Sequence, residues 1–360
     1  MLEPFQTTPA GLLETPLPQL LEEVFFAPLR EVMENGLKTR SCKVLKDLPF
    51  VAMSVLRVLQ SSRSGRDFIQ SHGIPSLPEL NVANYFGSLG SKRRLALITA
   101  THHAMTARHR PGLRAHHDLP ASLPELDGWE VWAGDGHAIA HATHDPRNDK
   151  GAYSPVHAIY NLAPLTVIPR PIERTNSANA MVIADETVYF NNTPGVWRRI
   201  TATCPDSDEL YVTLTNEMTL PPGVLNQVRR LRWNIEKIFN QHERKLEESK
   251  AWVANDTGKR IQATAICIAH NLLRLFGAKL EREEGIVDTK VIRAWHQRLA
   301  GRAKAAATAG RELPLKLYLA LYRPTEVSLQ LIRWLRSMLL RATCYRESLT
   351  LLRPLMAKHI

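Results

Sequence analysis

Arg229, Arg232, Glu236, Arg244 and Lys245 lie within one short run, VRRLRWNIEKIFNQHERK. A carboxylate set among basic side chains suits phosphate chemistry. The acid can hold a divalent cation, while guanidinium groups hold a phosphodiester and spread its charge. On a helix, steps of three, four and seven residues return to one side, so Arg229, Arg232, Glu236 and Glu243 form a polar stripe. Val228, Leu231, Ile235, Ile238, Phe239 and Leu246 form the apolar stripe beside it. Glu236 thus falls where the helix meets its core. The ordinary alternative is a surface Arg–Glu pair at i, i+4, worth only tenths of a kcal/mol.

A second acid strengthens the chemical reading. WEVWAGDGH alternates Trp129, Val131 and Ala133 and ends in Asp135-Gly136. An Asp at a strand end, beside a glycine that allows close approach, suits a divalent cation and a phosphate. A carboxylate on a strand and another on a packed helix is the arrangement that two-metal phosphoryl transfer uses. Hard oxygens there hold two Mg²⁺ or Mn²⁺ ions about 4 Å apart, over the attacking and leaving oxygens.

With these residues in view, LRWNIEKIFNQHERK after PPGVLNQVRR resembles the signature of bacterial DDE transposases of insertion-sequence family four. That signature is Tyr, two residues, Arg, three residues, Glu, six residues, Lys. Arg232 and Glu236 match it in type and spacing, and GDGH is similar to the strand end bearing that family's first catalytic Asp, here Asp135. LRVLQSSRSGRDF, NVANYFGSLGSKRRL and ATAICIAHNLLRLF extend the likeness over most of residues 45 to 280. The resemblance implies an RNase H-like core, Mg²⁺-dependent cleavage and strand transfer of double-stranded transposon-end DNA, and a homodimer on paired ends. It places Asp135, Asp185 and Glu236 as the catalytic carboxylates, with Asp135 and Glu236 as metal ligands.

The chain departs from the pattern at three places. Arg229 stands where the signature has Tyr, and Glu243 where it has Lys, with Arg244 and Lys245 directly after. The second Asp of the family lies in an apolar–Asp–Arg–Gly context, whereas Asp185, in MVIADETVYF, is followed by Glu-Thr. The run PRPIERTNSANA is too short and too rich in Pro and Asn for the crossover helix that such a core needs in this interval. A missing segment carrying the second Asp is therefore the alternative expectation, giving a DNA-binding derivative that does not cut.

The supporting elements follow from periodicity. Residues 17 to 108 read as helices, with LPFVAMSVLRVLQSS repeating apolar residues at three and four. Val82 to Phe86 and Lys92, Arg93 and Arg94 could form a helix-turn-helix with its cations on phosphates; a helical bundle with a basic turn is the plainer reading. WEVWAGDGHAIAHATH, PVHAIYNLAPLTVIP, MVIADETVYF and ELYVTLTN read as strands. Helices are expected again from Val224 to about Lys250 and from Gly258 to about Leu280. The run VIRAWHQRLAGRAKAAATAGR and the later leucine-rich run with Arg333, Arg336, Arg341 and Arg346 read as basic helices, either for DNA backbone or merely solvated. The expected fold is mixed α/β: residues 1–122 helical, 123–280 an RNase H-like catalytic region, 281–360 basic and helical.

Composition sets the outer bounds. The 360 residues carry 46 Lys and Arg against 35 Asp and Glu, a net charge of +11. Such an excess favours a polyanionic partner. Cys42, Cys204, Cys267 and Cys344 form no CxxC pair, which argues against a zinc ribbon and for a reducing compartment. His137, His141 and His144 sit on a strand-like run that would turn them to opposite faces, a poor zinc site. GSLGSKR lacks the spacing and preceding strand of a phosphate loop. The first residues lack a signal-peptide pattern, and the apolar stretch Ile261 to Ala278 is broken by His270, Asn271 and Arg274. The expectation is a cytoplasmic protein without a membrane span.

Overall fold

The computed structural model describes residues 22–35, 45–59, 65–71, 82–114, 123–133, 164–191, 193–203, 209–232, 251–284 and 289–313, with residues 235, 236, 238, 239, 242, 246 and 315. Its elements in chain order are helices and an antiparallel sheet, so the mixed class holds in its coarse form.

The N-terminal helices are α1 (Ala27–Glu34), α2 (Asp47–Leu59), α3 (Gly65–Ser71), α4 (Val82–Ser88) and α5 (Lys92–Arg114). Phe50, Val51, Met53, Val55 and Val58 of α2 are all buried, and a helix apolar on every side must lie inside a core. The lone polar side chain at its centre, Ser54, returns its hydroxyl proton to the Phe50 carbonyl at 2.8 Å. That local bond satisfies a group which would otherwise be costly to bury. Tyr85 of α4 packs against Phe50, Phe68 and Phe86.

This helical core is closed from far along the chain. Asn255 begins α7 (Asp256–Glu284) by accepting the Gly258 amide on its side chain at 2.8 Å, a helix N-cap. Ile261, Ala265, Ile266, Ile268, Ala269, Leu272 and Leu273 of α7 then share one cluster with Val24 to Met105. The helix expected from Gly258 is thus buried against the N-terminal helices. No helix among the described residues is long and apolar enough to cross a membrane.

Between these halves lies a four-stranded antiparallel meander in the order β1 (Pro164–Pro169), β2 (Val182–Phe190), β3 (Thr193–Thr203), β4 (Leu210–Thr215). All its pairings are antiparallel. Gly195, with φ of 103°, lies just beyond the reversal from β2 to β3, in a conformation that suits glycine. Helix α6 (Pro222–Leu231) packs on the 3₁₀ turn Ser177–Met181 and touches β2 and β3, around a small cluster of Leu123, Leu126, Ala178, Leu220 and Val224. Pro222 suits the first turn of α6, where its missing amide proton costs nothing. Residues 129–133, expected to begin a strand, belong to no strand of the sheet, and Trp132 is exposed. Helix α8 (Thr289–Thr308) buries Trp295, Leu299 and Ala306 with Leu313.

Candidate functional site

Glu236 lies on exposed helical surface. The amides of Arg232 and Ile235 donate to Arg229 and Arg232 carbonyls, three residues back, so the chain tightens after α6. Helical residues 235, 236, 238, 239 and 242 follow. Ile235, Ile238 and Phe239 are half-buried, and His242 and Leu246 are buried, as the apolar stripe requires. Glu236 is exposed and lies 3.6 Å from Arg232, both side chains more than 40% accessible (42% and 45%). That is a loose i, i+4 ion pair, screened by water. The Arg229 guanidinium sits 5.4 Å from the ring centre of Tyr211 on β4, a cation–π contact that ties α6 to the sheet edge.

Asp185 has a different environment. It sits on the inner face of β2, and its side chain is 1% accessible. Arg198 of β3 donates from Nε to Oδ1 at 2.8 Å and from Nη2 to Oδ2 at 2.7 Å, a bidentate pair. Arg198 also donates from Nη1 to the Leu220 carbonyl at 2.6 Å, joining the pair to the segment that enters α6. Arg170 Nε lies 3.6 Å from Oδ2, and its Nη2 donates to the Met218 carbonyl at 2.6 Å. Both carboxylate oxygens therefore already face guanidinium groups. A divalent cation needs oxygen lone pairs turned toward it and would meet these positive charges first. Asp185 does not fit Mg²⁺ in this arrangement.

Asp135, Arg244 and Lys245 lie outside the described residues, as do His137, His141, His144 and the arginines from Arg333 onward. Among the described residues, no group of three or more His, Cys, Asp or Glu side chains could hold a metal ion.

The turn between α4 and α5 corrects one part of the phosphate reading. Lys92 is exposed, but Arg94 is buried, with Nε 3.3 Å from Asp47 Oδ1 and Nη2 bonded to the Leu45 carbonyl. Arg93 also turns to Asp47, through Nη1 to Oδ2 and through Nη2 to Oδ1 at 2.6 Å. The reason is electrostatic: Asp47 is itself buried at the start of α2, and two guanidinium groups neutralise it. Within the Val82–Phe86 segment Tyr85 is fully buried, and Ala83 is exposed. GSLGSKR is the turn joining these two helices, with helix α4 directly before it rather than a strand.

Two features escaped the sequence reading. The first is β3, whose adjacent Arg198 and Arg199 answer the adjacent Asp185 and Glu186 across the hairpin; Arg199 Nε donates to Glu186 Oε2 at 2.8 Å on the other face. The signal was the acidic dipeptide Asp185-Glu186 and the basic dipeptide Arg198-Arg199 on either side of the reversal from β2 to β3. The second is a histidine pair in the helical core. The His242 and His270 rings meet edge to face with centroids 5.2 Å apart, and desolvation, then the charges of His242 and Arg274, push His270 down to about 3.

No family model, no curated protein and no solved structure matches this chain.

Proposed function

We propose that this protein is a transposase-derived DNA-binding protein of the insertion-sequence type, with an incomplete cutting centre. The observation that carries the second half of this reading is the Asp185–Arg198 pair. The second catalytic carboxylate of the resembled family must offer free oxygens to a shared metal, and Asp185 offers both of its oxygens to one arginine. What supports the first half is the net charge of +11, the match of Arg232 and Glu236 to the signature, and their exposure on a helix surface. An RNase H-like ancestry, a homodimer on paired ends and action on DNA all rest on the sequence resemblance.

Active transposition is the second reading, favoured by the accessible Glu236 beside Arg232, the geometry that the signature would need at a phosphodiester. A nicking assay on supercoiled plasmid with Mg²⁺ or Mn²⁺ separates the two. On the reading proposed, wild type and Glu236→Gln both bind the plasmid and neither cuts it. Metal-dependent nicking by wild type that is lost in Glu236→Gln would establish the active enzyme instead.

A further inference from the structure

Helix α8 combines charge and shape in a way the rest of the described surface does not explain. From Thr289 to Arg311 the chain holds no Asp or Glu. Trp295, Leu299 and Ala306 are buried on one side. At 3.6 residues per turn, the opposite ridge carries Ala294, Gln297, Gly301, Ala305 and Thr308, all exposed. Arg298 and Arg302, one turn apart, flank this ridge on one side; Arg293 and Lys304 flank it on the other. Arg293, Arg298 and Lys304 are exposed and Arg302 is half-buried. The outward surface is therefore a shallow, nearly featureless ridge between two rows of cations.

Gly301 lies on this ridge. It sits in the middle of α8, where glycine weakens a helix, yet nothing lies within 4 Å of where a Cβ would stand. Nothing among the described residues requires its smallness. A partner that comes close to the helix backbone would.

We propose that α8 lies in the major groove of B-form duplex DNA, with Arg298 and Arg302 on one phosphate strand and Arg293 and Lys304 on the other. This rests on the DNA-binding reading above and names the surface that performs it. The occupant follows from complementarity. Two parallel rows of cations match two parallel rows of phosphates, and the major groove, about 12 Å wide, admits a helix. Duplex RNA has a deep, narrow major groove that excludes one. A membrane surface would need large apolar side chains on the outward face, but Trp295 and Leu299 face inward. Gln297 and Thr308 are the ridge's hydrogen-bonding side chains, and the Thr308 hydroxyl already donates to the Lys304 carbonyl at 3.0 Å, so binding is governed by the backbone and tolerates most sequences.

The test uses the full chain and fluorescence anisotropy with a mixed-sequence DNA duplex, titrated with salt. Arg298→Gln with Arg302→Gln should weaken binding roughly a hundredfold near 0.1 M salt and flatten the log–log salt slope by about 2. Gly301→Glu, which places a carboxylate at the groove floor, should weaken it at least tenfold while circular dichroism stays unchanged. Arg260→Gln, an exposed cation on α7, should leave binding as it was. Tight wild-type binding that these α8 variants do not alter would overturn the groove assignment and leave the DNA-binding reading standing. Equal or tighter binding to the matched RNA duplex, to phosphatidylserine vesicles or to poly-glutamate would also overturn it. A wild-type chain that does not bind duplex DNA at all would end both readings.

Discussion

Arg198 grips Asp185 by both oxygens across the β2–β3 hairpin and passes the same guanidinium on to the Leu220 carbonyl. One buried ion pair thereby connects the sheet to the segment leading into α6. Removing one member leaves the other charged and without its partner in the interior, which costs about 3 kcal/mol or more. Asp185→Asn should therefore lower the urea midpoint strongly in the absence of any metal. Asp185→Leu combined with Arg198→Met should recover much of the loss, because the desolvation cost disappears along with the attraction. A metal ligand would behave otherwise: its neutralisation would relieve repulsion in the apo protein, and the single variant would unfold later.

Glu236 makes the opposite case. Its pair with Arg232 is solvent-exposed, so Glu236→Gln should change stability by less than about 0.5 kcal/mol. Chemical denaturation of wild type and variant should overlay. A large loss would show that Glu236 has a structural role, and its value as a probe of cutting would vanish.

Acid should loosen the helical core through His270. Its folded-state pKa, about 3, lies below the unfolded value near 6.5, and its ring faces His242 and Arg274. Between those values the unfolded chain binds the extra proton, so stability is full above about pH 6.5 and falls as pH drops toward 3. The slope contributed is about 1.4 kcal/mol per pH unit. His270→Leu should flatten the pH dependence of the denaturation midpoint in this window, and a profile as steep as wild type would assign the acid loss to other groups.

Two glycines should respond in opposite directions to alanine. A Cβ at Gly223 would stand 1.8 Å from the Ala178 carbonyl oxygen, and the Gly223 amide donates to Asn179 Oδ1 at 2.7 Å. Gly223→Ala must push α6 off the 3₁₀ turn and should cost at least about 2 kcal/mol. Gly301→Ala meets open space and should gain up to about 1 kcal/mol from helix propensity. Paired thermal melts would check both signs.

The helices were readable because their signal is local. The apolar repeats of α2 and the capped, apolar run of α7 each specify a buried helix within one window of sequence. Strand β3 was less so: VWRRITAT places two arginines where alternation should show one polar side, and only the partner strand's Asp185 and Glu186 explain both. The fate of Arg94 was hidden for a related reason. Its carboxylate, Asp47, lies 47 residues away, and no local pattern tells a cation held in a core from one waiting for a phosphate. The two-carboxylate idea was half legible. The type and spacing of Arg232 and Glu236 are local, but whether Asp185 keeps its lone pairs depends on a hairpin register.

Closure of the helical core by α7 also constrains how this chain can be made. Val24, Phe50 and Leu97 share their packing with Ile261 and Leu273, so helices α1 to α5 lack a finished interior until about residue 273 has left the ribosome. During synthesis the sheet has the chance to form first, as an island between two unfinished halves. Translation that stops within the sheet would release helices whose apolar sides have nothing to cover them, a natural substrate for chaperones and proteases.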